Sequence, residues 1–304
     1  MKNTVQRSFI PGSKWLYLKI YCGVKTADNL LIKELFYAVK EMKKQQLIDK
    51  WFFIRYADPD AHLRIRFLLK NEQQTGEVLN LFYKRMHGLL NENQLWKIQT
   101  DTYNRELERY GESLIEEAES VFYIDSESTL SILKILANYG NENYRWMIAL
   151  KLVDSLLADF SLTLQEKQQL MEAVSASFKM EFRFNEHNAK QFNTKFRENK
   201  LRIESVLNNT INDENFICLY HPLKNRSKRL IPVIEPIKAK LSKKNQPVRL
   251  EDLLKSYIHM MINRLFRSKN RMHELILYDF MRRYYASEAA KSKYNKKILT
   301  DTSR

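Results

Sequence analysis

Three short segments carry side chains whose types and spacing suit chemistry. The first is His62-Leu-Arg64-Ile-Arg66-Phe67. Successive side chains of an extended strand point to opposite faces, so His62, Arg64 and Arg66 share one face while Leu63, Ile65 and Phe67 share the other. Aligned guanidinium groups repel one another, and each offers a planar, two-pronged donor set that fits a carboxylate. The segment therefore reads either as a carboxylate-binding face or as a solvated outer face neutralised by its neighbours. The second segment is Tyr103-Asn-Arg105-Glu106-Leu-Glu108-Arg109-Tyr110-Gly111. Glu106 and Arg109, three apart, meet if this is a helical turn. They form an ordinary surface ion pair, or a carboxylate that steadies an arginine at the rim of a pocket. The third is Ser256-Tyr-Ile-His259-Met-Met-Ile-Asn263-Arg264-Leu-Phe266. His259 and Asn263 lie one helical turn apart; an imidazole there is either a hydrogen-bonded structural group or a proton carrier near neutral pH.

The elements that must position these groups follow from the pattern. Trp15–Tyr21 mixes aromatic and β-branched residues and predicts a strand. Ala27–Gln46 places Leu31, Leu35, Phe36, Val39 and Met42 at helical spacing. Trp51–Tyr56 and His62–Leu69 read as a hairpin closed by Ala57-Asp-Pro-Asp-Ala61, whose Asp and Pro favour turns. Thr75–Leu90 reads as helix and Leu95–Tyr103 as extended chain. A run of helices follows from Ser113 to about Asn208, with amphipathic spacing in Leu130–Tyr139, Tyr144–Phe160 and Gln165–Phe178. Pro222, Pro232, Pro236 and Pro247 predict a loop or break within Tyr220–Val248. Glu251–Arg267 and Arg271–Ser287 read as a closing helical pair. The expected fold is α+β, one domain over 1–288 with a mixed or antiparallel sheet, its hairpin packed against a helix-rich layer, and a polar, frayed tail over 289–304.

Composition bounds the function classes. The 304 residues are 44% hydrophobic, with few Gly and Pro, as in a globular, helix-rich chain. The formal charge of +15 suits an anionic partner. Its Lys is spread along the chain beside many Asn, as on a solvated surface, and direct nucleic-acid binding is not expected. Cys22 and Cys218 alone provide neither a disulfide framework nor a thiolate zinc site. His87, His187, His221 and His273 show no metal-ligand spacing, and no phosphate-binding glycine loop, dinucleotide fingerprint, zinc helix or nucleophile elbow occurs. Neither metal nor cofactor is expected. With no signal-peptide or membrane-spanning run, the expected location is the cytoplasm.

Taken in order, the opening Phe9-Ile-Pro-Gly-Ser-x-Trp15-Leu-Tyr17, the block Phe53-Ile-Arg-Tyr-Ala-Asp-Pro-Asp-Ala-His-Leu-Arg-Ile-Arg-Phe67, Glu108-Arg-Tyr-Gly111 and His259-Met-x-x-Asn-Arg-Leu-Phe266 resemble the carboxy-terminal domain of class I lanthipeptide dehydratases, a domain also found as free-standing thiopeptide-type bacteriocin biosynthesis proteins. The resemblance spans nearly the whole chain. It implies that the three segments converge on one pocket, which expels glutamate from glutamylated Ser or Thr of a precursor peptide to leave dehydroalanine or dehydrobutyrine. By position Arg64, Arg66 and Arg109 match the family's arginines, Glu106 their acidic companion and His259 the active-site histidine. The implied site has His259, Arg66 and Arg109 as catalytic groups, with Arg64, Glu106, His62 and Asn263 around the substrate. The chain departs from the pattern at Glu112, where relatives often have a second glycine, and at Arg267, where they have glycine.

The implied function is the standalone elimination component of a split dehydratase, a lyase. Its implied partners are the glutamylated precursor peptide, a separate tRNA-dependent glutamylation protein and a cyclase, and a homodimer is a further option. Two rival readings stand beside it: a thiopeptide-type pyridine synthase, which joins two dehydroamino acids in a formal cycloaddition and expels the leader, and a non-catalytic partner that binds the precursor peptide.

Overall fold

A computed structural model of the chain describes residues 5–243 and 246–301, with side chains to residue 294. Contacts gather into two compact units, Met1–Gly140 with Lys224–Ser268, and Asn141–Leu223 with Lys269–Arg304. In the first unit the order is β1 (Ser8–Phe9), β2 (Trp15–Cys22), α1 (Val24–Asn29), a π-helical stretch (Leu30–Leu35), α2 (Phe36–Lys44), β3 (Ile48–Ala57), β4 (Ala61–Leu69), α3 (Thr75–Asn91), β5 (Leu95–Asp101), β6 (Tyr103–Asn104), α4 (Leu107–Tyr110) and α5 (Ile115–Tyr139). β3, β4, β2 and β5 form an antiparallel sheet in that order, and β1 pairs with β6. The fold is α+β, as expected. The hairpin registers Phe53 on Ile65 and Trp51 on Phe67, and β2 sets Leu18 on Ile65. Leu63, Ile65 and Phe67 thus join Leu16, Leu18, Trp51 and Phe53 in one buried apolar face, with Phe82 of α3 edge-on to Phe67.

In the second unit α6 (Asn143–Asp159), α7 (Leu164–Glu181), α8 (Glu186–Leu207) and α9 (Glu214–Ile217) follow. Thr163 with Glu166 and Asn185 with Asn188 form capping boxes that satisfy the first amides of α7 and α8. After them come α10 (Tyr220–Leu241) and α11 (Leu250–Leu265), which join the first unit from Lys224, and α12 (Asn270–Asp301), which belongs to the second. α12 packs on α7 through Tyr278 against Phe178 and through Lys179 with Asp279 at 2.7 Å. It continues to Asp301; the end of the polar tail expected over 289–304, residues 302–304, lies outside the described residues. The break expected in Tyr220–Val248 falls after Leu241, whereas α10 runs unbroken through Pro232 and Pro236. Pro222 sits in the first turn, where a missing N–H costs nothing, and the other two lie on an exposed side, where the carbonyls they leave unpaired meet water.

The outer edge of β3 is closed by side chains. Phe53 N–H donates to Ser126 Oγ at 3.3 Å, Arg264 Nε–H donates to Phe53 O at 2.9 Å, and the Asn263 amide takes both backbone groups of Arg55, accepting at 2.8 Å and donating at 2.9 Å. Beneath this seam Asp125 of α5 lies 3.0 Å from Arg264 and 3.5 Å from Arg226, and both guanidinium groups are almost fully buried. Removing one member of a buried ion set strands the others without compensation. Asp125→Ala should therefore cost about 3–5 kcal/mol, read as a lower urea midpoint at an unchanged m-value; a loss below about 1 kcal/mol, the range of an exposed pair, would contradict the structural role given to Asp125.

Candidate active site

The strand alternation puts His62, Arg64 and Arg66 on the face of the sheet opposite the apolar one, and the register sets their neighbours. Tyr21 and Tyr56 flank His62, Lys19 and Ile54 flank Arg64, and Tyr17 and Phe52 flank Arg66. His62 is buried: its Nδ1 is 2.8 Å from the Asp60 carbonyl and its Nε2 is 3.1 Å from Arg64 Nε. A carbonyl and an Arg N–H together select the tautomer with the proton on Nδ1, so Nε2 accepts from Arg64. Arg64 lies with its guanidinium carbon 3.4 Å from the centre of the Tyr56 ring. His62 and Tyr56 thereby fix the direction in which Arg64 points.

Arg66 is 9% exposed and sits in a cage of three rings, with its guanidinium carbon 4.4 Å from Tyr17, 4.8 Å from Tyr103 and 5.3 Å from Phe52. Each such contact is worth about 0.5–2 kcal/mol. Its buried Nε lacks a hydrogen-bond acceptor. Among the described residues neither Arg64 nor Arg66 has a carboxylate within ion-pair distance, and the nearby Asp101 of β5 pairs with Lys19. That pairing holds the Asp101 carboxyl below its usual range against the opposing pull of burial. The Tyr17 phenol is pushed up by burial, although Arg66, Arg64 and Lys19 all pull it down. This face therefore holds more positive than negative charge where water is scarce.

The second segment stands beside it. Glu106 and Arg109 form the expected i,i+3 pair at 3.1 Å, and both are exposed. The buried arginine of this segment is Arg105, bidentate to Glu119 of α5 at 2.7 and 2.8 Å. Glu119 also accepts from the Tyr103 hydroxyl at 2.9 Å, so one carboxylate places a wall of the Arg66 cage and the approach to Arg109. Gly111 has φ +79° and a Cβ there would meet Val248 Cγ2 at 3.3 Å, which ties this position to glycine.

The third segment is α11. His259 is half-buried, one turn before Asn263. Asn263, expected around the substrate, grips the Arg55 backbone, next to the Tyr56 that carries Arg64. Phe122 of α5 joins the three segments, its ring 5.4 Å from Phe52, 5.1 Å from Tyr110 and 6.1 Å from Tyr257, while Tyr257 stacks on Tyr110 at 6.0 Å. Phe52 adjoins Arg66, Tyr110 follows Arg109, and Tyr257 is two residues before His259. The sequence reading missed Glu119, Phe122, Asp125 and Arg105. A carboxylate recurring in the apolar stripe of a long helix is the signal that could have found the two acids.

Arg267, where relatives have glycine, pairs with Asp28 of α1 at 2.6 Å, and Asp28 also holds Arg55 at 2.5 Å. The departure thus adds an ion pair beneath the seam. No group of three or more His, Cys, Asp or Glu placed to hold a metal occurs among the described residues, and none of their helices is long and apolar enough to cross a membrane.

Residues 15–285 match the family described as lantibiotic biosynthesis dehydratase C-term, and the chain belongs to that family. It is 26% identical over 279 residues to the subtilin biosynthesis protein SpaB of Bacillus subtilis, covering 88% of this chain and 25% of SpaB. The chain thus spans about a quarter of the length of this relative. Among solved structures it resembles the tRNA dependent lantibiotic dehydratase MibB from Microbispora sp. 107891, with a TM-score of 0.71 and 20% identity over 93% of this chain and 29% of that one. It also resembles TbtD, a pyridine synthase from thiomuracin biosynthesis, with a TM-score of 0.65 and 14% identity over 91% of this chain and 98% of that one.

His62 makes the site sensitive to acid. Burial lowers its pKa, and Arg64 and Lys19 lower it further, against the Asp60 carbonyl and Asp58. Because the folded value lies below the roughly 6.5 of a free imidazole, the unfolded chain takes the proton first, and stability falls as pH drops below about 6.5. His62→Phe removes this titration. Urea denaturation at neutral and at mildly acid pH should therefore show the stability difference between wild type and variant shift toward the variant in acid; the opposite shift would contradict the assigned tautomer.

Proposed function

We propose that this site removes glutamate from glutamylated Ser or Thr residues of a precursor peptide. One observation carries the reading: Arg66, nearly buried and caged by three rings, has no carboxylate partner among the described residues. A cation kept in that condition favours an anionic ligand, because fixed positive charge acts more strongly where water is excluded. In β-elimination a base takes the α-proton, its electron pair forms the Cα=Cβ bond, and the Cβ–O bond breaks so that glutamate leaves as a carboxylate. Arg66 and Arg64 suit the carboxylates of the glutamyl group, and Arg109, steadied by Glu106, suits the enolate-like charge or the departing group. His259 is the proton carrier in this reading, since Arg is effectively never deprotonated. Asn263 and Phe122 act at a distance, by holding α11 and the strands together. The glutamyl ester comes from a glutamylating activity, whether in another protein or in another part of a longer chain.

The likeness to TbtD supports a second reading, pyridine synthesis from two dehydroamino acids, which has no glutamate to hold. A synthetic glutamylated peptide separates them. Wild type should release free glutamate and leave a dehydro residue; Arg66→Met and His259→Asn should fold, still bind the peptide, and release glutamate about 100–1,000-fold more slowly, the range for loss of one preorganised charge-stabilising group. Equal rates for wild type and Arg66→Met would overturn the elimination reading. Cyclisation of a dehydrated peptide without glutamate release would favour the synthase, and binding with no turnover of either peptide would favour a non-catalytic peptide-binding role.

A further inference from the structure

The sheet has two edges, and they are treated differently. β3 is sealed by Ser126, Asn263 and Arg264. β5 pairs with β2 on one side, and on its outer side no strand or side chain of the described residues meets its backbone. Trp96, Lys97, Ile98, Gln99 and Thr100 are all exposed in succession, with Trp96 at 52% and Ile98 at 41%. An open strand edge bearing apolar side chains invites pairing with another chain, and proteins ordinarily shorten, cover or interrupt such edges. Here the strand runs for seven residues, contains no proline, and has its register irregularity at one end, opposite Tyr21 and Cys22.

We propose that β5 docks an extended, acidic segment of the precursor peptide as a fifth strand of the sheet; the peptide nature of the occupant rests on the function proposed above. Two chemical features of the edge select this occupant. Ile98 offers apolar contact on one face of the added strand, Lys97 and Gln99 lie on the other, and exposed Trp96 sits at the register shift opposite Tyr21 and Cys22. Lys97 stands 4.8 Å over the Tyr21 ring and has no carboxylate partner among the described residues. It lies on the same face as Arg64 and Arg66, with Lys19 between them neutralised by Asp101, and so favours an acidic side chain of the peptide beside it. Main-chain hydrogen bonds then supply affinity independent of sequence, and the alternating side chains supply selectivity. Strands lie about 4.8 Å apart, so an added strand runs three strand spacings from β4. The docked segment is therefore one that flanks the modified residue, which reaches the arginines only after the peptide leaves the edge.

Hydrogen exchange of the full chain, with and without an unglutamylated synthetic peptide carrying Glu at alternate positions, tests this. Outward-facing amides within Leu95–Asp101 should exchange at least tenfold more slowly with the peptide present. The same peptide methylated at alternate backbone nitrogens should give no protection, a control that leaves the protein intact. Lys97→Glu should weaken binding tenfold or more. Protection elsewhere with β5 unchanged would overturn the proposal, as would concentration-dependent protection of β5 without peptide, which would assign the edge to a second copy of the chain. The two proposals fail separately: β5 protection without glutamate release would sink elimination and keep the docking edge, whereas release with β5 unprotected would do the reverse.

Discussion

One face of α5 organises everything around the site. Glu119, Phe122, Asp125 and Ser126 recur at helical spacing, and each holds a different segment. Glu119 takes Tyr103 and Arg105, Phe122 touches Phe52, Tyr110 and Tyr257, Asp125 holds Arg264 and Arg226, and Ser126 accepts from the β3 backbone. Chain stretches more than a hundred residues apart are thereby fixed against a single rigid helix. Sites carried on such elements hold their geometry more closely than sites on loops.

That scaffold allows an arrangement that is unfavourable in isolation. Burying a cation without a counter-ion costs several kcal/mol, and an unpartnered buried N–H adds about 1–3 kcal/mol. Around Arg66 the three rings recover part of this, while Arg264 and Arg105, with similar burial, each have a carboxylate. The contrast divides the buried arginines by role. Those with acids tie elements together, whereas Arg66 has no acid partner among the described residues and its positive charge is left unneutralised. Tyr17, Tyr103 and Phe52 give Arg66 its position without neutralising it, as a carboxylate would.

Much of this was legible in the residues. Period-two alternation in β4 places His62, Arg64 and Arg66 on one face because a strand permits no other arrangement, and three-residue spacing brings Glu106 to Arg109. What local pattern cannot supply is contact between distant segments. The cage needs Tyr17, Phe52 and Tyr103 from three strands, so nothing near Arg66 announces it. Asn263 looks like a polar companion of His259 until β3 is seen to need partners for its open edge. The prolines of α10 suggested a break because their exposure, which makes them tolerable inside a helix, is a tertiary property. The family match then placed the chain among lantibiotic dehydratase C-terminal domains, as the joint order of the motifs implied.

The central claim is that the charge on Arg66 is held open for a carboxylate of the substrate. A crystal structure with a stable analogue, in which glutamate is joined to the peptide through an amide in place of the ester, tests it most directly. The account predicts a glutamyl carboxylate within about 3 Å of the Arg66 guanidinium, the distance of a charge-assisted hydrogen bond, with Arg64 turned toward the same group and the Tyr17, Phe52 and Tyr103 rings unmoved. A bound analogue whose carboxylates lie elsewhere, with Arg66 still unpartnered in its cage, would contradict it.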